Sequence, residues 1–166
     1  MSKRVAYVTG GMGGIGTSIC QRLAKDGFTV VAGCGPNSPR KDKWLADQKA
    51  LGFDFIASEG NVADWDSTVA AFEKVKKEVG EVDVLVNNAG ITRDGMFRKM
   101  TREAWDAVID TNLNSMFNVT KQVVDGMIDC DYCHEDHETT PFDQMPEDYV
   151  CPACGVEKGW FEQKVA

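Results

Sequence analysis

The chain has 166 residues, 43% hydrophobic and 27% charged, with a formal net charge of -8. That composition suits a soluble globular protein with one real core and a small appendage. No stretch nears the ~18 to 20 uninterrupted apolar residues of a membrane span, and the acidity argues against nucleic acid, whose phosphates it would repel. The charge is uneven: residues 1–128 hold 16 Lys+Arg and 16 Asp+Glu, whereas residues 129–166 hold 2 and 10. Four of the six cysteines also fall after residue 128, so the composition divides the chain into domains 1–128 and 129–166. The start, Met1-Ser2-Lys3-Arg4, leads straight into an apolar strand with no secretory segment, and a cytoplasmic location is expected.

The first strand spans about Arg4 to Val8. It leads into Thr9-Gly10-Gly11-Met12-Gly13-Gly14-Ile15-Gly16, and a helix follows from about Gly14 to Asp26, with Ile15, Ile19 and Leu23 at helical spacing. Strand, glycine turn and helix in succession aim backbone N–H groups and the positive end of a helix at one point, where a phosphate is stabilised. Glycine is needed there because a Cβ would hold a pyrophosphate away. A ligand-free flexible turn is the plainer alternative. Gly27 then caps the helix, and a second strand covers Phe28 to Ala32. A loop follows from Gly33 to Pro39, and a second helix from about Lys41 to Leu51 stops at Gly52. The third strand is Phe53 to Ser58. The third helix runs from about Ser67 to Val79, with Val69, Phe72, Val75 and Val79 on one face and Gly80 after it. The fourth strand is Val82 to Val86. One long helix, about Thr101 to Met127, carries Trp105, Val108, Ile109, Met116, Phe117, Val123 and Val124 as its apolar set. Repeated strand–helix units predict an α/β fold: a truncated Rossmann-type parallel sheet in the order 3-2-1-4.

The end of the second strand bears on the nucleotide. An acid there would accept hydrogen bonds from a ribose 2′-OH and repel a 2′-phosphate. No acid occurs from Gly33 to Arg40, while Asn37, Ser38 and Arg40 offer donors and a fixed positive charge, which points to NADP(H) over NAD(H). The bland alternative is an ordinary polar loop.

Residues 1 to about 127 resemble the first half of a short-chain dehydrogenase/reductase, in particular its acetoacetyl-CoA reductase branch. The resemblance is carried by Thr9-Gly10, Gly14-Ile15-Gly16, the loop Gly33 to Arg40 including Gly35, Gly60-Asn61-Val62, Asn87 to Asp94, and Asp110-Thr111-Asn112-Leu113. It implies that Asn61 and Val62 face the adenine and that Asn88, Ala89 and Gly90 lie along the cofactor. Asn112 would match the family's catalytic asparagine, here vestigial, which holds a water of the proton relay. The family's chemistry also needs a tyrosine, a lysine four residues later and a serine. Tyr7, Tyr132 and Tyr149 are followed at that distance by Gly11, Asp136 and Ala153, so no carbonyl reduction is expected from these residues alone. With no fifth strand, the fourth becomes an apolar edge. Either the tail covers it or the protein forms a homo-oligomer through it.

Cys130-Asp131-Tyr132-Cys133 and Cys151-Pro152-Ala153-Cys154 are two C-x-x-C pairs with 17 residues between them. Two such knuckles in a chain without a secretory signal point to a metal, because four thiolates make a tetrahedral shell suited to iron or zinc; disulfides are the alternative. Cys20 and Cys34 read as ordinary thiols. The stretch Phe142 to Glu162 resembles the C-terminal half of rubredoxin, with Tyr149, Trp160 and Phe161 as the aromatic shell of an Fe(Cys)4 centre. The shorter insert between the knuckles, and His134-Glu135 after the second cysteine, depart from that pattern. A module of this size has too little core to fold on apolar burial, and a metal supplies the deficit.

The expectation is a redox protein: a small rubredoxin-like metal-binding tail moving single electrons, joined to an NADP(H)-binding half Rossmann domain. A hydride delivers two electrons together, so a flavoprotein redox partner is implied. The alternatives are an NADPH-dependent acetoacetyl-CoA reductase-like oxidoreductase completed in trans, and a zinc-stabilised structural tail or chimeric join near Met127 without selected activity.

Overall fold

Val5-Ala6-Tyr7-Val8 form β1, and all four are buried, as a central parallel strand covered on both faces requires. This is a computed structural model, and it describes residues 4–128; the chain divides into two units, Met1–Met127 and Ile128–Ala166. The knuckle cysteines Cys130, Cys133, Cys151 and Cys154 lie outside the described residues. Among the described residues no helix is long and apolar enough to cross a membrane.

The order of elements is β1 (Val5–Val8), α1 (Gly14–Lys25), β2 (Thr29–Cys34), α2 (Lys41–Ala50), β3 (Ile56–Glu59), α3 (Trp65–Glu78) and β4 (Val84–Val86). A single 3-10 turn follows at Phe97–Lys99, then α4 (Arg102–Ile109), a π-helical turn (Asp110–Asn114), α5 (Ser115–Thr120) and α6 (Val124–Ile128). The four strands are all parallel in the order β3-β2-β1-β4, as the repeated strand–helix units predict. Ala6 sits opposite Val30 on one side and Val84 on the other.

The sheet carries a core on each face. On one, Tyr7, Val31, Phe72, Val75, Val119 and Val123 pack together; on the other, Val8, Cys20, Val30, Ala32 and Phe55 meet Ile19, Leu23, Trp44 and Leu45. Each fully buried valine contributes about 2 kcal/mol through the water it sheds. Tyr7 satisfies its buried hydroxyl by donating to Ser58 Oγ at 3.1 Å. Helices α1 and α2 stop at left-handed glycines, Gly27 (φ +95°) and Gly52 (φ +85°). At both, the next residue's N–H reaches five residues back, Phe28 to Leu23 O and Phe53 to Gln48 O, which closes a Schellman cap. Asp64 opens α3 by accepting from Ser67 N at 2.7 Å.

Four sequence expectations need correction. The second strand runs on through Gly33 and Cys34, which are not loop: Gly33 O accepts from Gly11 N and Cys34 O from Gly60 N, both at 2.9 Å. The third strand starts at Ile56, because Phe53 and Phe55 stack on each other, with Phe55 also against Trp44, before pairing begins. The fourth strand is shorter, beginning at Val84. The single long helix is interrupted by the π-helical turn at Asp110–Asn114 and by a turn at residues 121–123. Much of its expected apolar set meets solvent: Trp105, Met116 and Phe117 are exposed. Among the described residues, strand β4 pairs with β1 alone and is an edge of the sheet.

Candidate functional site

The site begins with a lock between two strand ends. Thr9, at the end of β1, is 2% exposed, and its Oγ1 accepts from both Asn88 N and Ala89 N at 2.9 Å while donating to Val86 O at 3.3 Å. Asn88 Nδ2 donates back to Thr9 O at 2.9 Å and Gly10 O at 3.2 Å. The glycine turn is thus tied to the residues that follow β4. The approach is too close for any side chain at Gly16, where a Cβ would stand 2.2 Å from Gly10 O and 2.8 Å from Gly11 Cα.

A cleft of about 480 Å3 opens above this lock. Its floor is Gly10, Gly14, Ile15 and Gly16; its flank is Asn88, Ala89 and Gly90; its far end is Gly35, Ser38 and Arg40. Helix α1 begins there at Gly14, with Gly13 as an N-cap that offers no side-chain acceptor and no acid in the first turn. Among the described residues, the N–H groups of Gly14, Ile15 and Gly16 have no acceptor, and Thr17 N is the first to be bonded, to Gly13 O. Orphan donors at the positive end of a helix suit an anion. At the far end Arg40 is exposed and, among the described residues, has no carboxylate partner.

Three of the sequence-derived cofactor residues stand off the lining of this cleft. Asn37 sits in a left-handed turn (φ +52°) and is exposed. Asn61 turns its carboxamide oxygen to Ala63 N at 3.2 Å, and Val62 is half-buried against the core with its carbonyl accepting from Asn118 Nδ2 at 3.1 Å. Asn112 spends both ends of its side chain on one residue: Oδ1 accepts from Ile91 N at 2.8 Å and Nδ2 donates to Ile91 O at 2.9 Å. That side chain is a clamp on Ile91, set within a π-helical turn of the sort that recurs at functional sites.

Sequence reasoning missed other contributors. Met12, Gly13, Gly33 and Cys34 also line the cleft. Burial first, and then the Glu59 carboxylate, push the Cys34 thiol up, with Lys41 opposing. Glu59 lies opposite Cys34 in the β2–β3 register, and its Oε2 is 3.3 Å from Lys41 Nζ. The hydrogen bond to Glu59 raises the Lys41 ammonium in turn. Thr9 was legible in principle as a polar residue closing an apolar strand; Glu59 was not, because only the sheet brings it beside residues 34–41. A second cleft of about 230 Å3 lies along Arg93–Met96 and Lys99–Thr101. Among the described residues no cluster of three or more metal-ligating side chains occurs.

Set beside known proteins, residues 4–133 match the short chain dehydrogenase family model and residues 135–161 match that of rubredoxin. The second match takes in Cys151 and Cys154 but begins after Cys130 and Cys133, which fall inside the first. An acetoacetyl-CoA reductase of Cupriavidus necator is 83% identical over 129 residues, covering 78% of this chain and 52% of that protein. Among solved structures, an actinorhodin polyketide ketoreductase with NADPH aligns at 34% identity and a TM-score of 0.71, covering 77% of this chain and 51% of that one. A gluconate 5-dehydrogenase from Burkholderia cenocepacia in complex with NADP and tartrate aligns at 30% identity and a TM-score of 0.68, covering 77% and 50%. The chain spans about half the length of the curated relatives it matches.

Proposed function

Because residues 4–133 make this chain a member of the short chain dehydrogenase family, we propose that its cleft binds NADP(H) and that Cys130, Cys133, Cys151 and Cys154 hold a metal as an electron carrier. The observation that carries the first half is the donor set of the cleft. Unsatisfied N–H groups at the start of α1 would take the pyrophosphate, and Arg40 with Ser38 would take a 2′-phosphate. The two solved relatives with NADP and NADPH support the same reading. The donor set of the second half also fits its group, since four thiolates at knuckle spacing suit iron or zinc. Iron held there would supply a one-electron Fe(III)/Fe(II) couple. The four thiolates would hold it, and the rubredoxin match at residues 135–161, which takes in Cys151 and Cys154, supports iron over zinc. A flavoprotein belongs to this proposal as the partner that divides a hydride into single electrons.

Metal analysis with a visible spectrum, and a fluorescence titration with NADPH, test the two halves separately. One iron per chain with a red colour, and NADPH saturation in the micromolar range, are the expected results. A colourless protein with stoichiometric zinc overturns the electron carrier and leaves a structural tail. A chain that ignores NADPH overturns the nucleotide site.

A second reading, an acetoacetyl-CoA reductase completed in trans, is favoured by the identity to the Cupriavidus necator enzyme. None of the three tyrosines of these 166 residues has a lysine four positions on, so no residue pair stands ready to deliver the carbonyl proton. Acetoacetyl-CoA with NADPH should give no turnover with this chain alone. Edge pairing of β4 with a second copy is the self-association this reading needs, and a concentration-dependent sedimentation coefficient is its check.

A further inference from the structure

We propose that Lys41 masks Glu59, an acid that would otherwise act against NADPH at this end of the cleft, without either residue being the phosphate ligand; this rests on the nucleotide reading of the cleft. The sequence around the second strand's end carries no acid, and by that measure nothing there should repel a 2′-phosphate. The sheet supplies one. Glu59 closes β3 directly across from Cys34, and Cys34 lines the cleft beside Gly35, Ser38 and Arg40. Its carboxylate is 3.3 Å from Lys41 Nζ, and Lys41 is the residue after Arg40. The pair is partly exposed, with side-chain exposures of 29% for Lys41 and 37% for Glu59. Its charges cancel locally, which leaves Arg40, among the described residues, as the uncompensated cation at this end of the cleft.

Each half of the pair therefore masks the other. Neutralising Glu59 exposes a second cation beside Arg40, which favours a phosphate monoester of about -2 charge. Removing the Lys41 charge instead unmasks an acid where NADPH presents that phosphate and NADH presents a hydroxyl. Removing both restores the original local charge.

The test is a fluorescence titration of NADPH and NADH against the full chain carrying Glu59→Gln, Lys41→Met or both. Glu59→Gln should raise the ratio of the NADH to the NADPH dissociation constant about two- to fivefold, the scale of a partly exposed charge. Lys41→Met should lower it by a similar factor, and the double variant should return it to within about twofold of wild type. Thermal unfolding midpoints matching wild type show that the variants fold. Single variants that leave the ratio unmoved, or that shift it in the same direction, overturn the inference while NADPH binding by wild type keeps the nucleotide site. A wild-type chain that binds neither nucleotide overturns both.

Discussion

The strand–turn–helix of residues 5–25 and the helical stretch of residues 102–128 are both built on apolar repeats, yet they stand on different terms with solvent. In the first, Val5 to Val8 and Cys20 are buried and the polar groups at the junction are bonded to one another. In the second, Val119 and Val123 reach the core, whereas Trp105, Leu113 and Phe117 are 48%, 59% and 67% exposed. Phe117 stacks on Trp65 at 6.0 Å, and both remain open to solvent. Periodicity reports which face of a helix is apolar. What covers that face is decided by elements distant in the chain. Residues 5–25 find their cover within the four-stranded sheet and its helices; residues 102–128 find only part of theirs among the described residues.

Substitutions at matched depth sharpen the contrast. Gly16→Ala should have the largest effect, about 3 kcal/mol of stability lost with NADPH binding abolished, because the new Cβ meets backbone that cannot yield. Urea unfolding measures it, and a loss under 1 kcal/mol would show that the turn relaxes. Thr9→Val should cost about 2 kcal/mol by stranding the N–H groups of Asn88 and Ala89, while Thr9→Ser should keep most of the stability. Equal losses for both variants would assign the effect to packing instead of the hydroxyl.

A smaller effect is set by pH. Cys20 is buried, and that burial pushes its thiol from the ordinary 9.0 up to about 12. The unfolded chain therefore releases this proton first, and its contribution to stability is full below pH 9 and declines as pH rises toward 12. At pH 10 this loss is about 1.4 kcal/mol relative to pH 8, and Cys20→Ala should reduce the alkaline slope by that amount. An unchanged slope in the variant would place the titration elsewhere. Least of all, Phe117→Ser should move the unfolding midpoint by less than about 0.5 kcal/mol, because its ring is already in water. A cost above 2 kcal/mol would break the comparison by showing that this face is covered in solution.

What the sequence made legible follows the same division. Helix ends at Gly27 and Gly52, the glycine turn after β1 and the strand order are local or nearly local signals, and the sheet follows them. The helix break at Asp110–Asn114 had no proline or glycine to announce it. There Asn112 instead bonds both backbone groups of Ile91, a contact spanning 21 residues. Glu59 beside Lys41 and the hydroxyl of Thr9 beneath Asn88 are likewise products of register. Cys130 and Cys133 rest on spacing, since the rubredoxin match starts at residue 135.

The hydroxyl of Thr9 has one more consequence. It ties the floor of the cleft to the end of β4, one of the two outer strands of the described sheet, so neither can open without the other. Occupancy by a dinucleotide should therefore slow amide hydrogen exchange along Val84–Val86, which lie outside the cleft lining, and the strand edge becomes a reporter of what the glycine turn holds.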